Sequence, residues 1–214
     1  MHDRETVTTP DPIEHSFVTM DEVTGMARSL AAMARKPSGA PDMVVGIANG
    51  GTLPAYLVAE ALALPLQIVL VQHKGSAIKR RLRPIVDFLH IPPTWILTPW
   101  ARPLWALFQR RTSALVENTA SFAFGVDGKD VLLVDDCIET GKTVKYIKDR
   151  LLAAGAARVA VAVISCVGQD RPDRVVEPEF FLTHIFQFYP WSNNSPHHPA
   201  FDAFMTARDI QIYR

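Results

Sequence analysis

The chain has 214 residues, 48% of them hydrophobic and 21% charged, and its 22 basic side chains balance 22 acidic ones to a net charge of zero. That length and composition suit one globular domain with a substantial core, and the charge balance excludes a polycation built to coat nucleic acid or an anionic membrane. Both cysteines, Cys137 and Cys166, sit inside apolar strings, the setting of reduced thiols in a cytoplasmic protein rather than of a disulfide scaffold.

Residues 1–18 mix charge, threonine and proline without an apolar stretch, and are expected to form a flexible tail rather than a signal or anchor. Thr19 followed by Glu22 makes a capping box, and Val23, Met26, Ala27, Leu30 and Ala34 recur at helical spacing as far as Pro37. Met43 to Ile47 reads as a buried strand that runs into the turn Asn49-Gly50-Gly51. From Thr52 to Val71 the only charge is Glu60, a window of membrane-span length. Pro65 divides it, so the expected pieces are a helix over 52–63 and a strand over 67–71.

Val131 to Val134 is a further strand, followed by a helix with Val144, Ile147, Leu151 and Leu152 on one face and Gly155 at its C-terminal cap. Val159 to Ile164 and Phe180 to Phe186 supply two more strands. The alternation predicts an α/β fold, a mostly parallel sheet with helices on both faces. A single domain is expected over 19–214, interrupted by an insertion at about 75–124 and closed by a small hood at about 187–214.

The insertion has its own composition. Between residues 72 and 111 eight basic side chains face one acidic residue, Asp87, a net of +7 that leaves −7 for the rest of the chain. Such asymmetry suits the handling of a polyanion. Trp95, Trp100 and Trp105 recur there among prolines, at a period that is not helical, and are read as a packed subdomain or dimer contact before an acceptor pocket or a nucleic-acid surface.

The strongest signal is Val131-Leu132-Leu133-Val134-Asp135-Asp136-Cys137-Ile138-Glu139-Thr140-Gly141-Lys142-Thr143. A buried strand discharges into paired carboxylates, and a Thr-Gly-Lys-Thr turn then opens a helix. Unpaired N–H groups at such a turn, with the positive end of the helix dipole behind them, favour a phosphate monoester. Adjacent carboxylates at a strand end suit the cis hydroxyls of a ribose, directly or through a hard cation such as Mg²⁺. A triphosphatase loop is rejected, because Asp136 stands where its first glycine belongs.

This string resembles the phosphoribosyl-pyrophosphate (PRPP) signature of type I phosphoribosyltransferases, especially the form found in hypoxanthine-guanine and xanthine-guanine enzymes. The resemblance extends over about 19–75 and 125–190. It implies that Asp135 and Asp136 serve the ribose hydroxyls and Mg²⁺, that Thr140, Gly141, Lys142 and Thr143 cradle the 5′-phosphate, and that Glu139 takes the base-side position. It further implies that Asn49, Gly50 and Gly51 form the pyrophosphate loop, although Asn49 stands where many members carry Arg or Lys, and that Lys74 meets the pyrophosphate. Phe188 and Trp191, in a proline-tryptophan string like that of xanthine-type members, would bind the acceptor.

The implied activity is transfer of 5-phosphoribosyl from PRPP to an acceptor, a 6-oxopurine being favoured by acidic Glu139, by a homo-oligomer that uses small-molecule substrates and no nucleic acid. Two other readings stay open: transfer to a specialised non-purine acceptor, and a non-catalytic sensor of PRPP or nucleotide that uses the insertion to bind a partner. His197-His198 lacks the spacing of a zinc site, and Cys137 is a small strand residue before it is a nucleophile.

Overall fold

The computed structural model describes residues 17–35, 40–71, 125–168 and 171–210. The tail before Phe17, Lys74 and the tryptophan-rich insertion lie outside these residues. Among the described residues five strands and four helices follow in the order α1 (Met20–Ala34), β1 (Met43–Ile47), α2 (Thr52–Leu62), β2 (Leu66–Val69), β3 (Asp130–Ile138), α3 (Lys142–Ala153), β4 (Arg158–Cys166), β5 (Phe180–Thr183) and α4 (His198–Ala207). The strands form one parallel sheet in the order β2-β1-β3-β4-β5.

The capping box that starts α1 is formed: Thr19 Oγ1 accepts from the Glu22 amide at 3.3 Å, and Glu22 Oε2 accepts from the Thr19 amide at 2.7 Å. Parallel strands covered on both faces read as continuous apolar runs, and β1 is buried at all of its residues. Alternate side chains of β3 serve two separate cores. Leu132 and Val134 join Leu30, Leu53, Ile164 and Met205 on the α1/α2/α4 face, whereas Val131 and Leu133 join Ile147, Leu151, Val161 and Val163 under α3.

The apolar window after Thr52 divides where proline demands: α2 stops at Leu62, and Ala63 closes it in a left-handed conformation. Among the described residues no helix is long and apolar enough to cross a membrane.

Several boundaries differ from expectation, among them that of β4, which runs to Cys166 rather than residue 164. β2 ends at Val69 rather than residue 71, and β5 stops at Thr183 rather than Phe186. The Thr183 hydroxyl accepts the Ile185 amide at 3.1 Å, turning the chain out of the sheet and leaving Ile185 and Phe186 exposed. The larger difference is β3, which continues past its apolar run to Ile138. β4 is just as long and keeps pairing with it, Asp135 opposite Val163 and Cys137 opposite Ser165, so the paired carboxylates lie within a strand instead of after one.

Candidate active site

In this strand order the chain runs outward from β1 to β2 and then back across to β3, so the sheet reverses direction between β1 and β3. A crevice opens there at the carboxyl ends of the strands, where open α/β sheets bind ligands. The turn after β1 and the turn after β3 form its two sides.

On the β1 side, Ala48 and Asn49 are joined by a cis peptide bond, and Gly51 leads into α2. Gly50 is required by its neighbour: a Cβ there would lie 2.3 Å from Asp136 Oδ2. On the β3 side, exposed Glu139 precedes Thr140, and Gly141 turns the chain into α3 with φ +74°, a conformation that glycine adopts without strain. Lys142 and Thr143 begin the helix, so the amides of its first turn have no intrahelical acceptors. A cleft of about 340 Å³ is lined by Ala48, Asp135, Glu139 and the whole Thr140-Gly141-Lys142-Thr143 turn.

Because β3 is extended through the carboxylates, its alternation separates them. Asp135 shares the α3 face with Val131 and Leu133 and lines the cleft. Asp136 shares the opposite face with Leu132 and Val134, lies against Gly50, and accepts a hydrogen bond from Trp191 Nε1 at 2.8 Å. The two still feel each other: the Asp136 amide donates to Asp135 Oδ1 at 3.0 Å. Lost solvation, and then repulsion from Asp136, hold the Asp135 carboxyl well above its ordinary 3.8. Lost solvation also raises Asp136, against the opposing pull of the Trp191 hydrogen bond. A group that brings positive charge or hydroxyl donors to this pair relieves both. Next to them Cys137 is pushed up to about 12 by burial and by the Asp136 charge, so it is a protonated thiol at neutral pH.

A segment that the sequence pattern does not mark backs the turn. The Val175 amide donates to Thr140 O at 2.9 Å, and Val176 packs where a Gly141 side chain would stand. Arg171 ion-pairs with Glu139 and, at 2.9 Å, with Asp173. Arg174 buries its guanidinium against Cys166 Sγ at 2.7 Å, the Gly168 carbonyl at 2.7 Å and the Val167 carbonyl. No periodicity distinguishes this stretch; its only sequence cue is two arginines in a short, strandless link.

The hood residues separate too. Trp191 reaches the site through Asp136 and stacks on Tyr189, with centroids 4.7 Å apart and planes 9° apart. Phe188 instead meets Phe17 and Phe186 at 5.4 and 5.5 Å, while its carbonyl accepts from Val18 at 2.9 Å. His198 caps the Pro190 carbonyl at 3.1 Å through Nδ1. Among the described residues no three His, Cys, Asp or Glu side chains converge as a metal site.

A parallel α/β sheet whose switch-point crevice is lined by a helix-opening turn and a carboxylate is a ligand-binding architecture before any family is named. The phosphoribosyl transferase domain family matches residues 19–199, and the chain belongs to it. It is 25% identical to an amidophosphoribosyltransferase of Staphylococcus epidermidis over 192 residues, covering 86% of this chain and 32% of that protein, so it spans about a third of that relative's length. It is 27% identical over 169 residues to a hypoxanthine-guanine phosphoribosyltransferase of Streptococcus pneumoniae, covering 78% of this chain and 75% of the other. The solved structure of a purine phosphoribosyltransferase from Pyrococcus horikoshii shares the fold with a TM-score of 0.56 at 20% identity, covering 83% of this chain and 94% of that one.

Proposed function

We propose that this protein transfers 5-phosphoribosyl from PRPP to a 6-oxopurine base, releasing a nucleoside 5′-monophosphate and pyrophosphate, as a cytoplasmic purine-salvage enzyme working as a homo-oligomer. The observation that carries the reading is the Thr140 to Thr143 turn opening α3 beside Asp135 in one cleft. The amides of the helix N-terminus and the hydroxyls there suit the 5′-phosphate, and the cleft volume of about 340 Å³ suits a sugar phosphate with part of its partner.

In this reading Asp135 and Asp136 take the ribose hydroxyls. Asn49, Gly50 and Gly51 offer backbone to the pyrophosphate, and Lys74 adds charge to it. Glu139, held by Arg171, orients the base, with Phe188 and Trp191 supporting the acceptor side. Breaking the bond between C1 and pyrophosphate leaves positive charge on the sugar and negative charge on the leaving group, so carboxylates below the ring and donors around the pyrophosphate stabilise both ends. Mg²⁺ fits this donor set: the carboxylate oxygens of Asp135 and Asp136 are hard ligands, which suit an ion completed by substrate oxygens and water. When bound it supplies charge neutralisation of the pyrophosphate.

The test is pyrophosphate release from PRPP and Mg²⁺ with guanine, hypoxanthine, xanthine, adenine, uracil and orotate supplied singly. Release with 6-oxopurines alone is expected. Release with another acceptor only, or PRPP binding without turnover, replaces this reading by a different transferase or by a sensor.

A further inference from the structure

We infer that Trp191 is a positioning residue for donor binding, acting through Asp136. The inference rests on the reading of Asp136 as a ligand of the sugar. The indole N–H donates to Asp136 Oδ2 at 2.8 Å, from 55 residues away in the chain. Gly50 lies against the same oxygen, and its missing Cβ leaves the space that Oδ2 occupies. Asp136 therefore lies against the turn after β1 and is tied by the indole N–H to the C-terminal hood.

The indole is itself fixed by a chain of contacts reaching back into the sheet. One face lies on the Tyr189 ring, and Phe201 stands at 6.3 Å in a tilted contact. The buried Ser165 hydroxyl donates to the Ile185 carbonyl at 3.0 Å, so at 2.6 Å from the Tyr189 oxygen it must accept the phenol's proton. Ser165 belongs to β4 and pairs with Cys137, the residue after Asp136. Strand, phenol, indole and carboxylate thus close a loop around the end of β3. A carboxylate at the end of a short, rotatable side chain can turn outward, and a donor on a rigid mount prevents that.

The position also explains why an aromatic with a donor is needed. Phenylalanine at this position keeps the stack on Tyr189 but offers no proton to Asp136. The sharper probe replaces Trp191 by β-(3-benzothienyl)alanine, which substitutes sulfur for N–H in a ring of nearly the same shape.

The experiment measures PRPP affinity by calorimetry with Mg²⁺, together with KM for the acceptor and thermal unfolding, for wild type, Trp191→Phe, the benzothienyl analogue, Asp136→Asn, and the double variant that combines Trp191→Phe with Asp136→Asn. Loss of a hydrogen bond to a charged group is expected to weaken PRPP binding about tenfold or more in both replacements of Trp191. Acceptor KM should move by a smaller factor than the PRPP affinity does. Once Asp136→Asn has removed the carboxylate, adding Trp191→Phe should weaken binding by less than about a further twofold, because the indole acts through that carboxylate. The analogue keeps the inference falsifiable if Trp191→Phe fails to fold. Unchanged PRPP affinity in the analogue overturns the inference, as does a full additional loss in the double variant, or a rise in acceptor KM alone. Wild type that does not bind PRPP overturns the functional reading first, and this role with it.

Discussion

Replacing Asp135 by Asn should make the unliganded protein more stable and the protein less able to bind its donor. Asp135 is a cleft-lining carboxylate whose charged form is penalised by lost solvation and by Asp136, with one amide hydrogen bond in compensation. A carboxyl raised in the folded state binds its proton more tightly there than when unfolded. Its stabilising share is therefore complete below the ordinary value of 3.8 and is lost as pH rises through the folded value. At pH 8 the wild-type charge is a cost, and an isosteric amide removes it.

Relieving one such half-buried, repelled charge is worth about 1–2 kcal/mol, within the range of single stabilising substitutions. At about 2–4 °C per kcal/mol for a chain of this size, Tm should rise by about 2–8 °C. The assay is thermal unfolding of both proteins at pH 5 and pH 8, without ligand and with PRPP and Mg²⁺. The gain should be larger at pH 8 than at pH 5. PRPP at about 100 times its Kd should stabilise wild type by about 2.7 kcal/mol and the variant by much less. A variant that is less stable than wild type at pH 8, or that keeps the full ligand shift, refutes the reasoning.

Three further outcomes follow from contacts described above. Gly50→Ala puts a methyl 2.3 Å from Asp136 Oδ2; PRPP affinity measured by calorimetry should fall by about tenfold or more while circular dichroism stays native. Ser165→Ala leaves the buried Tyr189 hydroxyl, held at 2.6 Å in the native protein, without its acceptor. Chemical denaturation should show a loss of about 1–3 kcal/mol. Ile147→Ala empties a fully buried site under α3; about 2–5 kcal/mol of stability should be lost with little change in PRPP affinity, since the residue faces the core and not the cleft.

What is legible in the sequence is whatever is encoded by neighbours along the chain. Thr19 and Glu22 cap each other three residues apart, Pro65 divides a helix from a strand by local sterics, and the Thr140 to Thr143 turn opens α3 from consecutive residues. The boundary of β3 is not legible, because polar residues after an apolar run look like a strand's end and only the equal length of β4 keeps them paired. The separation of Asp135 from Asp136 follows from that boundary and is hidden with it. The bond from Trp191 to Asp136 and the pairing of Arg171 with Glu139 join positions 55 and 32 residues apart, and no local pattern announces either. Helix α4 escapes notice because it is short and lies in a stretch of prolines, histidines and asparagines.

The odd and even positions of β3 carry different cargo: odd residues give a core layer and the cleft carboxylate, even ones the other core layer and the carboxylate held by the hood. A slip of one residue would therefore exchange the two cargoes at once, turning toward the cleft the carboxylate that the hood now holds and giving each layer of helices the wrong apolar set. Ladders on both sides, to β1 and to β4, oppose such a slip. Selection for a well-packed interior and selection for an accurately placed carboxylate are in this strand a single constraint, so a deletion that folds here in another register is a deletion that loses its chemistry.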